Sequence, residues 1–387
     1  MTDSKWSGLV GGVASIAAIG AAAGATALRR AVRRQGPDPL VREDFALMNV
    51  DRGSIVAADD GVPLAVREVG PVAAPLTVVF VHGYCLRMES WHFQRRELER
   101  RWGQDVRMVF YDQRGHGRSG RGQAQSCTIA QLGTDLAAVI RAVAPKGPVV
   151  LLGHSMGGMT VLAAAGQFPD LFAERVIGVG LLSTTAAGLA QTGLGRNLEN
   201  PAIDAFRLAV RTAPGVVQFG RGVVRSLISP VLLAASYGTD VSPALVHFSE
   251  SMINGTSVVT MVNFLKSLEL HDETDSLTVL ADTPALVLCG DDDWVIPFRK
   301  SEELADGLPL AEIVRVRRAG HLVQLEFAPE VDDAIDRLVT RALAAAPAEG
   351  RSDSGGQAEG RSDSGGQAGG RSVFGRRVAE PRRRTVG

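Results

Sequence analysis

An α/β fold, a mostly parallel sheet covered by helices, is predicted for residues 41–346 of this chain by three observations. Short apolar runs alternate with stretches of helical spacing along that whole segment, the order that βαβ units require. Several runs, Thr77–Val81 and Val149–Leu152 among them, are continuously apolar, as strands buried on both faces are. Between two of them Ile129, Leu132, Leu136, Val139, Ile140 and Val143 recur at helical spacing, one stripe for packing on a sheet.

Taken in order, Ser54–Ala57 and Leu64–Glu68 are candidate strands separated by the turn residues Asp59, Asp60 and Gly61. Buried strands follow at Thr77–Val81, Met108–Tyr111, Val149–Leu152, Val176–Leu182, Ala285–Cys289 and Ile313–Val316. From about 186 to 280 the pattern becomes helical without a convincing strand, which reads as an inserted helical cap. Residues 347–387 change to Gly, Ser, Gln, Asp and Arg, and the unit EGRSDSGGQA starts at Glu349 and again at Glu359. Such a tail has almost nothing to bury and is expected to be disordered; its last, Arg-rich stretch reads as a solvated end or as a contact for anionic lipid or acidic partners.

Residues 1–40 form a separate hydrophobic segment and basic linker. Ser7–Leu28 runs without a charge and, as a helix, is long enough to cross a bilayer of roughly 30 Å. Eight of its residues are Ala and five Gly, against six Leu, Val or Ile, so its apolarity is weak. Arg29, Arg30, Arg33 and Arg34 follow, and the positive-inside rule then expects a membrane-anchored protein with its body in the cytoplasm. A soluble cytoplasmic protein, or export to the cell envelope, are the alternatives. Gly8, Gly12, Gly20 and Gly24 share one stripe and twice form GxxxG, which makes a homodimer through this segment a further expectation.

With 45% hydrophobic and 21% charged residues the composition is that of an ordinary globular protein. The formal charge of −1 is unevenly spread: the four arginines before residue 35 and an excess of three positive charges after 348 leave about −8 between. A body of that charge is no nucleic-acid binder. Cys85, Cys127 and Cys289 form no CxxC pair, and neither HExxH nor GxxxxGK[ST] occurs. No disulfide framework, metal site or cofactor is called for.

The chemistry is concentrated in Gly153-His-Ser155-Met-Gly157, a G-x-S-x-G directly after an apolar run and before a helical one, Met156–Phe168. A bare G-x-S-x-G arises by chance; strand before and helix behind is the context of a nucleophile elbow. Side chains at Gly153 and Gly157 would collide with backbone in so sharp a turn, and the turn aims the Met156 N–H at the reaction centre. A serine hydroxyl is a poor nucleophile at neutral pH, so a histidine must take its proton and a carboxylate must orient that histidine. Both are expected after later strands. Ala285–Cys289 is followed by Asp291, Asp292 and Asp293, and Ile313–Val316 by Gly320-His321. A lone loop histidine is ordinarily surface decoration, but His321 alone of the seven follows the last strand, in a loop opened by glycine.

Val81-His-Gly-Tyr84, Asp112-Gln-Arg-Gly-His-Gly117, Gly153-His-Ser-Met-Gly-Gly158, Gly290–Pro297 and Gly320-His321, in that order, resemble the α/β-hydrolase superfamily over most of residues 50–345. The likeness is to the branch of esterases, monoacylglycerol lipases, proline iminopeptidase-like peptidases and cofactor-free haloperoxidases. It implies the α/β-hydrolase fold and assigns the acid to Asp293, with Asp291 and Asp292 as fallbacks. It also implies that the N–H of Tyr84 joins that of Met156 in an oxyanion hole, and that His82 and the Asp112–Gly117 loop are structural.

Ser155 stands where epoxide hydrolases and haloalkane dehalogenases carry aspartate, and Tyr237 is the only tyrosine between 186 and 280, where epoxide opening resembles a chemistry that needs two. Acyl transfer to water is therefore the leading expectation, with Ser155, Asp293 and His321 catalytic. The substrate is a small acyl compound, lipid-like chains among the candidates, and a carboxylic ester before amide, thioester or peracid. Competing readings are a lyase or cofactor-free haloperoxidase-like enzyme on the same residues, and a non-enzymatic membrane-tethered scaffold.

Overall fold

The computed structural model describes residues 38–193, 195–196, 208, 233 and 235–346. Eight strands form one sheet: β1 Arg52–Ala57, β2 Pro63–Val69, β3 Leu76–Val81, β4 Val106–Tyr111, β5 Val149–His154, β6 Val176–Leu182, β7 Ala285–Gly290 and β8 Ala311–Val316. Their order is β1-β2-β4-β3-β5-β6-β7-β8. The pairs β1/β2 and β2/β4 are antiparallel and all others parallel. Each run expected to be a strand is one, extended by up to two residues at an end.

The described helices are α1 His92–Trp102, α2 Ile129–Val143, α3 Met156–Gln167, α4 Pro169–Arg175, α5 Pro243–Gly255, α6 Val258–Glu269, α7 Phe298–Asp306, α8 Val323–Glu326 and α9 Ala328–Ala345. Side chains alternate across a strand, so β3 sends Val79 and Val81 to one face and Val78 and Phe80 to the other. The first pair packs with Leu136, Val139 and Ile140 of α2 and Val161 and Leu162 of α3. The second packs with Leu98 and Trp102 of α1 and Ile335, Leu338 and Val339 of α9. The starts of α2 and α6 are satisfied by side chains: Thr128 accepts from the Gln131 N–H at 3.1 Å, and Ser257 from that of Thr260 at 3.1 Å. Within the stretch 186–280, α5 packs Phe248 and Met252 on Phe93, Leu322 and Leu325, while α6 packs Phe264 and Leu268 on Ile129, Met156 and Met159. The described helices of this stretch thus pack on residues at or beyond the C-terminal edge of the sheet.

The expectation of a membrane-anchored body is corrected. No helix among the described residues is long and apolar enough to cross a membrane. The expectation rested on the length of Ser7–Leu28, whose Ala and Gly content supplies little of the apolar surface that a span needs. That segment, its GxxxG stripe and the tail from 347 onward lie outside the described residues.

Beneath α9, the Asp332 side chain is buried and accepts from Nε2 of Gln94 at 3.0 Å. Burial raises its carboxyl pKa from 3.8 to about 7. The folded chain then holds this proton more tightly than the unfolded chain, so the stability it contributes is present below about pH 4 and lost as pH rises through about 7. Asp332→Asn keeps the acceptor and cannot ionise. In urea titrations the midpoint of the variant is expected to rise progressively above that of the wild-type protein between about pH 4 and 7, and the gap to stay level beyond. A gap independent of pH would contradict this account.

Candidate active site

The chain passes from β4 on one side of β3 to β5 on the other, which makes the crevice beyond the C-terminal ends of β3 and β5 a topological switch point, where open α/β sheets bind ligands. Ser155 follows β5 with φ 54° and ψ −120°, a conformation that costs a non-glycine residue free energy and is held by its surroundings. Its N–H donates to Leu182 O at 2.9 Å; its carbonyl accepts from Gly158 N at 2.9 Å and Thr184 Oγ1 at 2.7 Å. The glycines expected in the turn are required by contact: a Cβ at Gly153 would lie 2.5 Å from Gly157 O, and one at Gly157 would run into Val81 O. Cys85, Ser183 and Arg318, the other described non-glycine residues with positive φ, also follow strand C-termini, beyond β3, β6 and β8. Backbone strain is thus gathered at the edge of the sheet that carries the site.

The hydroxyl of Ser155 donates to Nε2 of His321 at 2.9 Å, and Nδ1 of His321 donates to Oδ2 of Asp293 at 2.8 Å. All three residues are buried. The other oxygen of Asp293 accepts the N–H groups of Val295 and Ile296, both at 2.9 Å, which fixes the carboxylate plane. Asp291 and Asp292 are exposed, and Asp291 accepts from the N–H of Arg318. Of the three aspartates, only Asp293 bonds to His321.

Tyr84 lies in the loop after β3, and Met156 opens α3 after β5, on the two sides of the switch point. A Cβ on Gly83 would lie 3.2 Å from Ser155 Cβ, so the loop after β3 lies directly on the nucleophile turn. Tyr84 donates its hydroxyl to Met261 O of α6 at 2.6 Å. Met156 is the first residue of α3, where amides have no acceptor within the helix. His82 donates from Nδ1 to Gly83 O at 2.8 Å and accepts the Gln113 N–H on Nε2 at 2.9 Å. Burial, with His116 nearby, depresses its pKa to about 3, so it is neutral and poorly suited to acid–base work. In the following loop, Asp112 accepts the N–H groups of Met88 and Arg118, and Arg114 is paired with Asp60 and Asp135. Tyr237 bonds its hydroxyl to Ser249 at 2.5 Å.

Three contacts at the site had no signal in the sequence pattern. His154 donates from Nε2 to the His321 carbonyl at 2.9 Å, and burial keeps its pKa well below the ordinary value. The Cys289 thiol, kept protonated by burial and by Asp293, lies 3.6 Å from Oδ2 of Asp293. Glu326 accepts the Gly320 N–H at 2.7 Å and the Thr239 hydroxyl at 2.6 Å, which ties the histidine loop to the segment before α5. Glu326 ends α8, five residues after His321, and its bond back to Gly320 is not readable from spacing.

A family model described as the alpha/beta hydrolase family matches residues 78–334. A proline iminopeptidase of Pestalotiopsis fici is 26% identical over 286 residues, covering 69% of this chain and 92% of its own length. A non-heme haloperoxidase of Rhodococcus erythropolis is 27% identical over 255 residues, covering 65% of this chain and 85% of its own. The solved structure of a thermophilic esterase from Thermogutta terrifontis aligns with a TM-score of 0.59 at 25% identity, over 75% of this chain and 99% of that one.

Proposed function

This chain belongs to the alpha/beta hydrolase family and is a hydrolase, and from that premise we propose that it cleaves a carboxylic ester through a serine acyl-enzyme. The observation that supports this reading most directly is the unbroken relay from Ser155 through His321 to Asp293 at a strained elbow. In the first half-reaction His321 takes the Ser155 proton as the oxygen attacks the substrate carbonyl. The developing oxyanion is met by the N–H groups of Tyr84 and Met156, and Asp293 stabilises the imidazolium. His321 then protonates the departing alcohol, leaving the acyl group on Ser155. In the second half His321 deprotonates water, which attacks the acyl-enzyme, and the acid leaves as the proton returns to Ser155.

In this reading the described helices α5 and α6, within the stretch 186–280, form the part of a cap that flanks the acyl group. A second reading, favoured by the likeness to the Rhodococcus haloperoxidase, lets hydrogen peroxide replace water in the second half and releases a peracid. Treatment with a fluorophosphonate probe, followed by peptide mass analysis and a panel of esters of graded acyl length, tests the proposal. Modification of Ser155 with turnover of at least one ester is expected; a protein that neither labels nor hydrolyses would sink it.

A further inference from the structure

We propose that Gln113 is a positioning residue that sets the separation of the two oxyanion donors, an inference that rests on the acyl-transfer reading above. Gln113 is wholly buried and too enclosed to touch substrate. Its side-chain Nε2 donates to the His82 carbonyl at 2.6 Å, and its Oε1 accepts the Thr160 hydroxyl at 2.8 Å. The direction of the amide is fixed by chemistry, because a carbonyl can only accept and so must face the NH2 group. Its backbone N–H adds a bond to the His82 ring at 2.9 Å, so Gln113 grips His82 at both its ring and its carbonyl.

The two ends of this link carry the two donors. His82 stands two residues before Tyr84 in the loop after β3. Thr160 stands one turn after Met156 in α3, and its one hydroxyl proton is shared between Gln113 Oε1 at 2.8 Å and Met156 O at 2.9 Å. The two parts come close at the bare Cα of Gly157, at which a Cβ would lie 2.7 Å from His82 O. Gly157 sets how near the loop and helix can come, and the Gln113 amide prevents them from drifting apart. An oxyanion hole needs both donors at about 2.7–3.1 Å from the developing charge, and a misplacement of about 1 Å costs on the order of 10²-fold.

Gln113→Met keeps the length of the side chain and removes both polar ends. For a short-chain ester, kcat is expected to fall about ten- to a hundredfold, less than the roughly 10²–10³ for losing a donor outright, with KM within about twofold. The rate of fluorophosphonate modification of Ser155 should fall by a similar factor, since both reactions build negative charge on an oxygen placed between the same two donors. Thr160→Val cuts the link from its other end and serves if Gln113→Met does not fold. It should lower kcat similarly, Thr160→Ser should recover most of that loss, and the double variant should be little worse than either single one. A folded Gln113→Met or Thr160→Val enzyme with wild-type kcat overturns the inference, as does a rise in KM at unchanged kcat. Wild-type protein that does not label at Ser155 overturns the acyl-transfer reading and the inference with it; wild-type labelling with unslowed variants overturns the inference alone.

Discussion

Replacing Ser155 by alanine is expected to lower kcat by about 10⁶-fold, the scale on which serine triads respond to loss of the nucleophile. The change removes one oxygen and its hydrogen bond to His321, and it leaves the backbone bonds to Leu182, Gly158 and Thr184 in place. Stability should therefore shift by no more than about 1 kcal/mol, one hydrogen bond. Progress curves on the best ester, with denaturant unfolding of the same preparation, check both statements. A folded Ser155→Ala enzyme that kept a tenth of wild-type activity would remove Ser155 from the mechanism.

Asp293→Asn is expected to lower kcat by about 10⁴-fold with little change in KM. The reason is local. Oδ1 accepts two backbone N–H groups, from Val295 and Ile296, and the carbonyl of an asparagine must take that place. Its NH2 group then faces Nδ1 of His321, which has to accept instead of donate. The imidazole proton moves to Nε2, and the ring can no longer take the proton of Ser155. Asp291→Asn and Asp292→Asn, at exposed positions that do not bond to His321, should be mild by comparison. Parallel kinetics of the three variants decide the matter, and a lethal change at 291 or 292 would give the acid role to that residue.

Much of this architecture is readable along the chain because it depends on neighbours in sequence. Val149–Leu152, Ser155 and the helical run after it specify a strand, a sharp turn and a helix within one short segment, and the glycines at 153 and 157 mark where backbone must pass close to backbone. The N-terminal expectation failed for a related reason. Length between charges is easy to count, whereas a span also needs apolar side chains, and Ser7–Leu28 is mostly Ala and Gly.

The sequence by itself determined the order of strands and helices, the elbow at Ser155 and a histidine loop after the last strand, since local periodicity and turn chemistry act over a few residues. The tertiary structure supplies the reason that Asp293, the acid the resemblance implies, is the one of three adjacent aspartates that meets His321: the turn after β7 buries that side chain and leaves the other two in solvent. It alone also brought the Cys289 thiol to Asp293, Glu326 back to Gly320, and Gln113 between His82 and Thr160. The partners of these polar groups are chosen by burial: once the sheet and helices exclude water, each donor must find an acceptor across space, and no spacing in the chain encodes that choice.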